Sequence, residues 1–188
     1  MDFYDVINSR KSIKKFKSTE IKDDKLGRMI NAAMMAPSWK NKTSYKFVIV
    51  DDEYKKNIIA SAVKNSSDEA KEAIKDAPVV ALIIGEPEDS GSIDEKPLYL
   101  VDSAIAMEHF ILAASNEGYG ACWIASFEEK TIKDILNIPN NFKVVALTPI
   151  GEIDEEKPHN PIKDVNEHVF LNTWNTSFSK KHEKTLLR

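Results

Sequence analysis

Arg10, Lys11, Ser12 and Lys14 stand within SRKSIKKF, residues 9–16, and Lys17 follows. No Asp or Glu falls between Val6 and Thr19, although the whole chain carries a formal net charge of −4. A guanidinium fork, a hydroxyl and an ammonium group together make a receptor for a terminal phosphate. Ile13 and Phe16 are apolar and can anchor the segment. Side chains of an extended chain alternate, which puts Arg10, Ser12 and Lys14 on one side. The plainer alternative is a solvated lysine face, the fate of most charge runs.

A second stretch, APSWKNKTSYKF at 36–47, reads as a helix stop, a polar loop and the start of a strand. Ser38 and Asn41 offer small donors and acceptors, and Trp39 offers a stacking face. Taken alone, an ordinary loop in which Asn41 makes a turn is the better reading.

Other chemistries are poorly served. The four histidines, His109, His159, His168 and His182, form no HExxH pair or other metal-ligand spacing. There is no GxSxG elbow and no GxxxxGK[ST] loop. Gly118-Tyr119-Gly120 follows a helix and precedes a strand, the reverse of the dinucleotide-binding order. These glycines instead end the helix, one of them just past its C-cap. Cys122, the single cysteine, lies in an apolar run and reads as a small buried hydrophobe. One cysteine leaves no disulfide within the chain and fits a reducing cytoplasm. The acidic balance argues against nucleic acid as a partner. Apolar runs such as VVALII at 79–84 are too short to span a bilayer, and the N-terminus has no stretch of signal-peptide type.

With 188 residues, 42% hydrophobic and 30% charged, the chain reads as one soluble domain. Four β-like runs stand at 45–51, 79–85, 120–127 and 143–151. Helical patterns fill 2–10, 22–36, 51–64, 67–77 and 97–117. Asp23 is a candidate N-cap, Pro37 a stop, and Pro97 a first-turn proline. Apolar residues cover most of the circumference of 97–117, and Asp102, His109 and Asn116 leave a narrow wet stripe. Such a helix is buried on several sides, part of it expected against a second subunit. EPEDSGSIDEKP at 86–97 reads as an exposed loop and a candidate lid. Beyond Glu152 the periodicity is lost, and HVFLNTWN at 168–175 reads as an arm that docks on something.

Taken together, Arg10-Lys11-Ser12-x-Lys14, Ala36-Pro37-Ser38-x-x-Asn41 and Gly118-x-Gly120-x-Cys122-Trp123-Ile124 resemble the nitroreductase family of FMN-dependent oxidoreductases. Leu136-x-Ile138-Pro139 and Ile150-Gly151 extend the resemblance over about residues 3–175. It implies an α+β fold with a mixed, mainly antiparallel central sheet flanked by helices, in an intertwined homodimer. One domain would cover 1–188, with 152–188 as an arm over the partner subunit. The cofactor implied is FMN, held at the subunit interface. Arg10, Lys11, Ser12 and Lys14 would hold its phosphate, ribityl and pyrimidine edge, Arg10 facing the phosphate. Pro37, Ser38, Trp39 and Asn41 would reach the same flavin from the other subunit. Trp123, Ile124, Ala125 and Ser126 would run beside the ring, with a backbone N–H near N5. Lys157 and His159 match two phosphate-binding cations. The implied activity is hydride transfer from NAD(P)H to nitroaromatic or quinone-like acceptors by a ping-pong route, with no catalytic protein nucleophile and with Lys14 as electrostatic support. A flavin carrier or sensor without turnover, another flavin reaction such as dehalogenation, and a cofactor-free interaction domain are the competing readings. The chain departs from the family at Asn41-Lys42-Thr43-Ser44-Tyr45, where Asn-x-Gln-Pro-Trp is common, at Trp39, which narrows the pocket, and at His159, which replaces an arginine.

Overall fold

The computed structural model describes residues 1–64, 67–158 and 163–178. It divides into two compact units, Met1–Lys157 and Pro158–Arg188. In the first, helices α1 (Phe3–Ser9) and α2 (Asp23–Met34) precede a 3₁₀ turn at Trp39–Asn41 and strand β1 (Tyr45–Val50). Helices α3 (Glu53–Ser61) and α4 (Glu69–Asp76) lead to β2 (Val79–Gly85). A helical turn, α5 (Pro87–Ser90), and the short strands β3 (Ser92–Ile93) and β4 (Lys96–Pro97) come before the long α6 (Leu98–Asn116). Strand β5 (Tyr119–Ala121), helix α7 (Glu129–Leu136) and strand β6 (Lys143–Glu152) complete the unit.

The four long-range strands form one sheet in the order β1-β2-β6-β5, and each neighbouring pair is antiparallel. Ser12 adds a parallel bridge to Ala121 at the β5 edge. The sheet is thus mixed and mainly antiparallel, as expected. Side-chain alternation along β2 feeds two cores. Ala81 and Ile83 join Met29 of α2 and Met107 and Phe110 of α6. Val80, Leu82 and Ile84 join Ile59, Ile74 and Ile132 of α3, α4 and α7. Burial on both faces explains why VVALIIG is apolar without a break. Asp2 and Asp52 cap α1 and α3, accepting from the N–H groups of Asp5 at 2.9 Å and Lys55 at 2.8 Å.

Helix α6 is long and apolar enough to cross a membrane by length and composition alone. It packs instead against α2, β2 and β5, with Met107 and Phe110 in the core. Leu100, Val101, Ala104 and Glu108 remain exposed on it, and Phe3, Tyr4 and Ile7 are exposed on α1. Gly118 stands just past the C-cap of α6 with φ +86°, the left-handed position that ends a helix.

Several expectations are corrected. Asp102, His109 and Asn116 do not make a wet stripe. Asp102 is buried, and His109 Nδ1–H donates to the Ala32 carbonyl at 3.2 Å. Asn116 Oδ1 accepts from the N-terminal amine at 3.3 Å. The run 120–127 is a strand only to Ala121, after which single bridges join Ile124 to Leu147 and Phe127 to Val63. The 86–97 loop contains α5 and a β3–β4 hairpin, turned by Asp94 and Glu95 at positive φ. Lys22, not Asp23, occupies the N-cap of α2. Helix α7 was not expected; it shows Ile132, Ile135 and Leu136 to the second core.

In the second unit, α8 (Val165–His168) is capped by Asp164, whose carboxylate accepts from Asn166 N–H at 2.9 Å. Phe170 pairs with Ser177 and stacks on Trp174 at 4.9 Å between ring centres.

Candidate functional site

The basic segment is held where two elements need it. Ile13 and Phe16 are buried, as their apolar character predicts. Ile13 N–H donates to Ala121 O at 2.9 Å, and Lys17 N–H to Glu152 O at 2.9 Å. Gly120 makes the close approach possible: a Cβ there would stand 2.7 Å from Ile13 Cβ. The pleat divides the cations between two clefts. Lys11 opens with Ile13, Tyr119 and Gly120 on a cleft of about 430 Å³. Lys14 opens with Phe16, Glu69 and Glu155 on another of about 530 Å³. Lys157 lines both.

Carboxylates partner most of these cations. Lys14 Nζ donates to Glu69 Oε2 at 2.6 Å. Lys157 Nζ donates to the Ser12 carbonyl at 2.6 Å and stands 3.2 Å from Glu155. Glu155 also accepts from the backbone N–H groups of Lys14 and Lys15. Lys11 Nζ donates to Lys157 O at 2.6 Å. Arg10 is the loosest, 3.9 Å from Glu108 on α6. The hydrogen bond from Lys14 holds the Glu69 carboxyl below the usual carboxylate range, and Glu69 in turn raises Lys14.

Beyond Ala121 the chain runs past the basic segment with alternate residues outward. Trp123, Ala125 and Ser126 are exposed, while Ile124 is buried. Ile124 N–H donates to Leu147 O at 2.9 Å, which removes it as a free donor toward a ligand. Ser126 Oγ donates to Lys64 O at 3.2 Å. Cys122 is buried, and desolvation pushes its thiol upward, which suits a packing residue.

The 36–44 loop is built differently. Trp39 N–H donates to Asp102 Oδ1 at 2.9 Å, and Ser44 Oγ donates to Asp102 Oδ2 at 2.6 Å. Thr43 N–H donates to Ser38 Oγ at 2.8 Å. Between these anchors Lys40, Asn41 and Thr43 adopt φ of 50°, 55° and 54°. A left-handed residue other than glycine costs roughly 1 kcal/mol, so the loop needs its supports. Lys42 Nζ ties the loop to α5 through Asp89 O at 2.5 Å.

The structure therefore brings the basic segment and Lys157 beside Ala121, with Lys11 and Lys14 facing different clefts, while Trp123–Ser126 run on from Ala121 toward Leu147 and Lys64 and line neither cleft. It places Pro37, Ser38, Trp39 and Asn41 against another side of α6. Asp102 and Glu108, the α6 residues met by the loop and by Arg10, are six residues apart, about 9 Å along the axis and about 120° around it. His159 lies outside the described residues. Glu69 and Glu155 are not singled out by the sequence, and Asp102 reads there as part of a wet stripe and not as the support of this loop. An acid inside the apolar run LYLVDSAIAM was the available signal for Asp102; nothing local marks the other two.

A family model described as the nitroreductase family matches residues 7–152. The chain belongs to the nitroreductase family. A nitroreductase family protein of Clostridium novyi NT is 49% identical, with 95% of this chain and 98% of that one covered and a TM-score of 0.81. An FMN-dependent nitroreductase of Clostridium difficile R20291 is 28% identical over 90% of this chain and 98% of that one, with a TM-score of 0.78. The 5,6-dimethylbenzimidazole synthase of Rhodospirillum rubrum is 26% identical over 172 residues, 79% of this chain and 81% of that protein. Nitroreductase family members are oxidoreductases, and the scaffold serves more than one reaction.

Proposed function

We propose that the protein is an FMN-dependent oxidoreductase that takes hydride from NAD(P)H and reduces nitroaromatic or quinone-like acceptors. One observation supports this reading: the Arg10–Lys14 segment bridges to the β5 edge at Ser12–Ala121, and Lys157, which donates to the Ser12 carbonyl, lines the clefts of both Lys11 and Lys14. The donor set suits FMN: the Arg10 guanidinium, the ammonium groups of Lys11, Lys14 and Lys157, and the Ser12 hydroxyl stand within one segment and its neighbour. Glu155 would have to yield Lys157 to the phosphate and Glu69 would have to yield Lys14 to the ring edge; Glu69 is largely exposed and can swing away.

FMN, when bound, supplies the hydride chemistry between nicotinamide and acceptor. The chain does the rest. Arg10 and Lys157 hold the phosphate, with His159 as a further cation. Lys11 and Ser12 hold the ribityl chain and pyrimidine edge. Lys14 places positive charge at the N1/O2 edge, where negative charge develops. Backbone N–H groups of Trp123, Ala125 or Ser126 face N5, Ile124 being committed to Leu147. Pro37, Ser38, Trp39 and Asn41 come from a second copy of the chain, in a cytoplasmic homodimer whose 152–188 arm crosses the partner. With FMN held there, nicotinamide and acceptor would use the same site in turn, a ping-pong order. No protein nucleophile is required.

The deciding experiment is the visible spectrum of freshly purified protein. Flavin bands that bleach on adding NADH or NADPH, and return with a quinone, support the reading. Colourless protein that ignores added FMN ends it. Bound flavin with no turnover identifies a carrier. The short 86–97 hairpin, in place of a large lid, favours the plain reductase over other flavin reactions.

A further inference from the structure

Asp102 is a buried carboxylate, 3% exposed, in a helix segment that is otherwise apolar. Among the described residues no cation pairs with it; its partners are the Trp39 N–H and the Ser44 hydroxyl. A buried carboxylate persists only where its oxygens are satisfied, and both oxygens of Asp102 are spent on one loop. What it touches is both ends of the strained Trp39–Ser44 loop, in which Lys40, Asn41 and Thr43 are left-handed. Without the two anchors that backbone can relax to ordinary angles, and the directions of Ser38, Trp39 and Asn41 change with it. The preceding residue, Val101, is 52% exposed, so the clamp stands one position from the helix surface that the dimer reading gives to a second copy.

We propose that Asp102 is a positioning residue: its two carboxylate oxygens clamp Trp39 N–H and Ser44 Oγ and so preset Ser38, Trp39 and Asn41 for the flavin. The proposal rests on the reading of that loop as a flavin contact. It also makes a claim about the chain without cofactor, namely that the loop is ordered before any flavin arrives.

Two readouts separate these claims. One is FMN affinity, from quenching of flavin fluorescence. The other is tryptic cleavage after Lys40 and Lys42, both exposed in the loop, measured on flavin-free protein. Asp102→Leu is expected to bind FMN about tenfold more weakly and to be cut faster. Asp102→Asn keeps an acceptor for Trp39 N–H and an amide that can donate to Ser44 Oγ, so it should stay within about threefold of wild type on both readouts. Arg10→Ala should weaken FMN binding and leave cleavage alone, a pattern that marks loss of a direct contact. Ser44→Ala removes one anchor, should move both readouts in the same direction as Asp102→Leu, and replaces it if the leucine variant does not fold. Wild-type FMN affinity in the folded leucine variant, or in Ser44→Ala where leucine does not fold, overturns the proposal. If the wild type binds no FMN, the functional reading falls, and cleavage alone then judges the clamp: unchanged rates overturn it.

Discussion

Replacing Arg10 by alanine should weaken FMN binding by about 1.5–3 kcal/mol, the range for a lost charge-assisted contact. Its present partner, Glu108, is 3.9 Å away and half exposed, so little stability goes with it. Unchanged FMN affinity by titration would remove Arg10 from the phosphate site. Glu69 makes the opposite case. It competes for Lys14, so Glu69→Gln should tighten FMN binding a few-fold at neutral pH, and weaker binding would count against Lys14 as a ligand. The pair also has a pH signature. Glu69 is held low by the hydrogen bond from Lys14, so its contribution is complete above the usual glutamate range and fades as pH falls through its lowered value. Lys14 is held high by Glu69, so its contribution is complete below the usual lysine range and fades as pH rises through its raised value. Between those limits Lys14 stays paired, and FMN affinity should rise once acid releases it, provided the fold holds. Trp39 is 40% exposed, and Trp39→Ala should widen acceptance of bulky nitroaromatics; kinetic constants that stay flat across a size series would place Trp39 outside the pocket.

At the scale of elements, the packing of the basic segment on β5 depends on one missing methyl. Gly120→Ala would press Cβ against Ile13, and overpacking of this kind costs typically 1–3 kcal/mol. Urea denaturation measures that loss, and the displaced segment should also bind FMN less well. A variant as stable as wild type would show that Ile13 can give way. Much of this level was legible beforehand. Ile13 and Phe16 declared themselves as anchors by being apolar among cations, and Gly118 by following a long helix. What escaped was what depends on contacts distant in sequence. Spacing put Asp102, His109 and Asn116 on one face of α6 but could not say that the 38–44 loop and α2 would cover two of them. The β3–β4 turn follows Asp94 with Glu95 at positive φ, where hairpin rules look for Gly. Strand β5 stops at Ala121 although ACWIASF keeps the β-prone composition of a longer strand.

At the scale of the molecule, α1 and α6 leave Phe3, Tyr4, Ile7, Leu100 and Val101 exposed within one unit. A face of this kind is expected to be covered by a second copy. Leu100→Glu with Val101→Glu should give a monomer by light scattering and should lose flavin, since Ser38 and Asn41 would no longer reach the partner's site. A flavin-loaded monomer would show instead that one chain suffices. The bridge between Ser12 and Ala121 has a further consequence, in time and not in space. It joins positions 109 apart in sequence, 121 minus 12, and pairings of such span are slow to close. The proposed phosphate site is therefore expected to be finished late, after α2, β1, β2 and α6 have had the chance to form. During synthesis the chain beyond Ala121 must leave the ribosome before position 12 can find its neighbour, so on the flavin reading the cofactor is expected to load late. In refolding, recovery of flavin quenching should lag behind the return of far-ultraviolet circular dichroism.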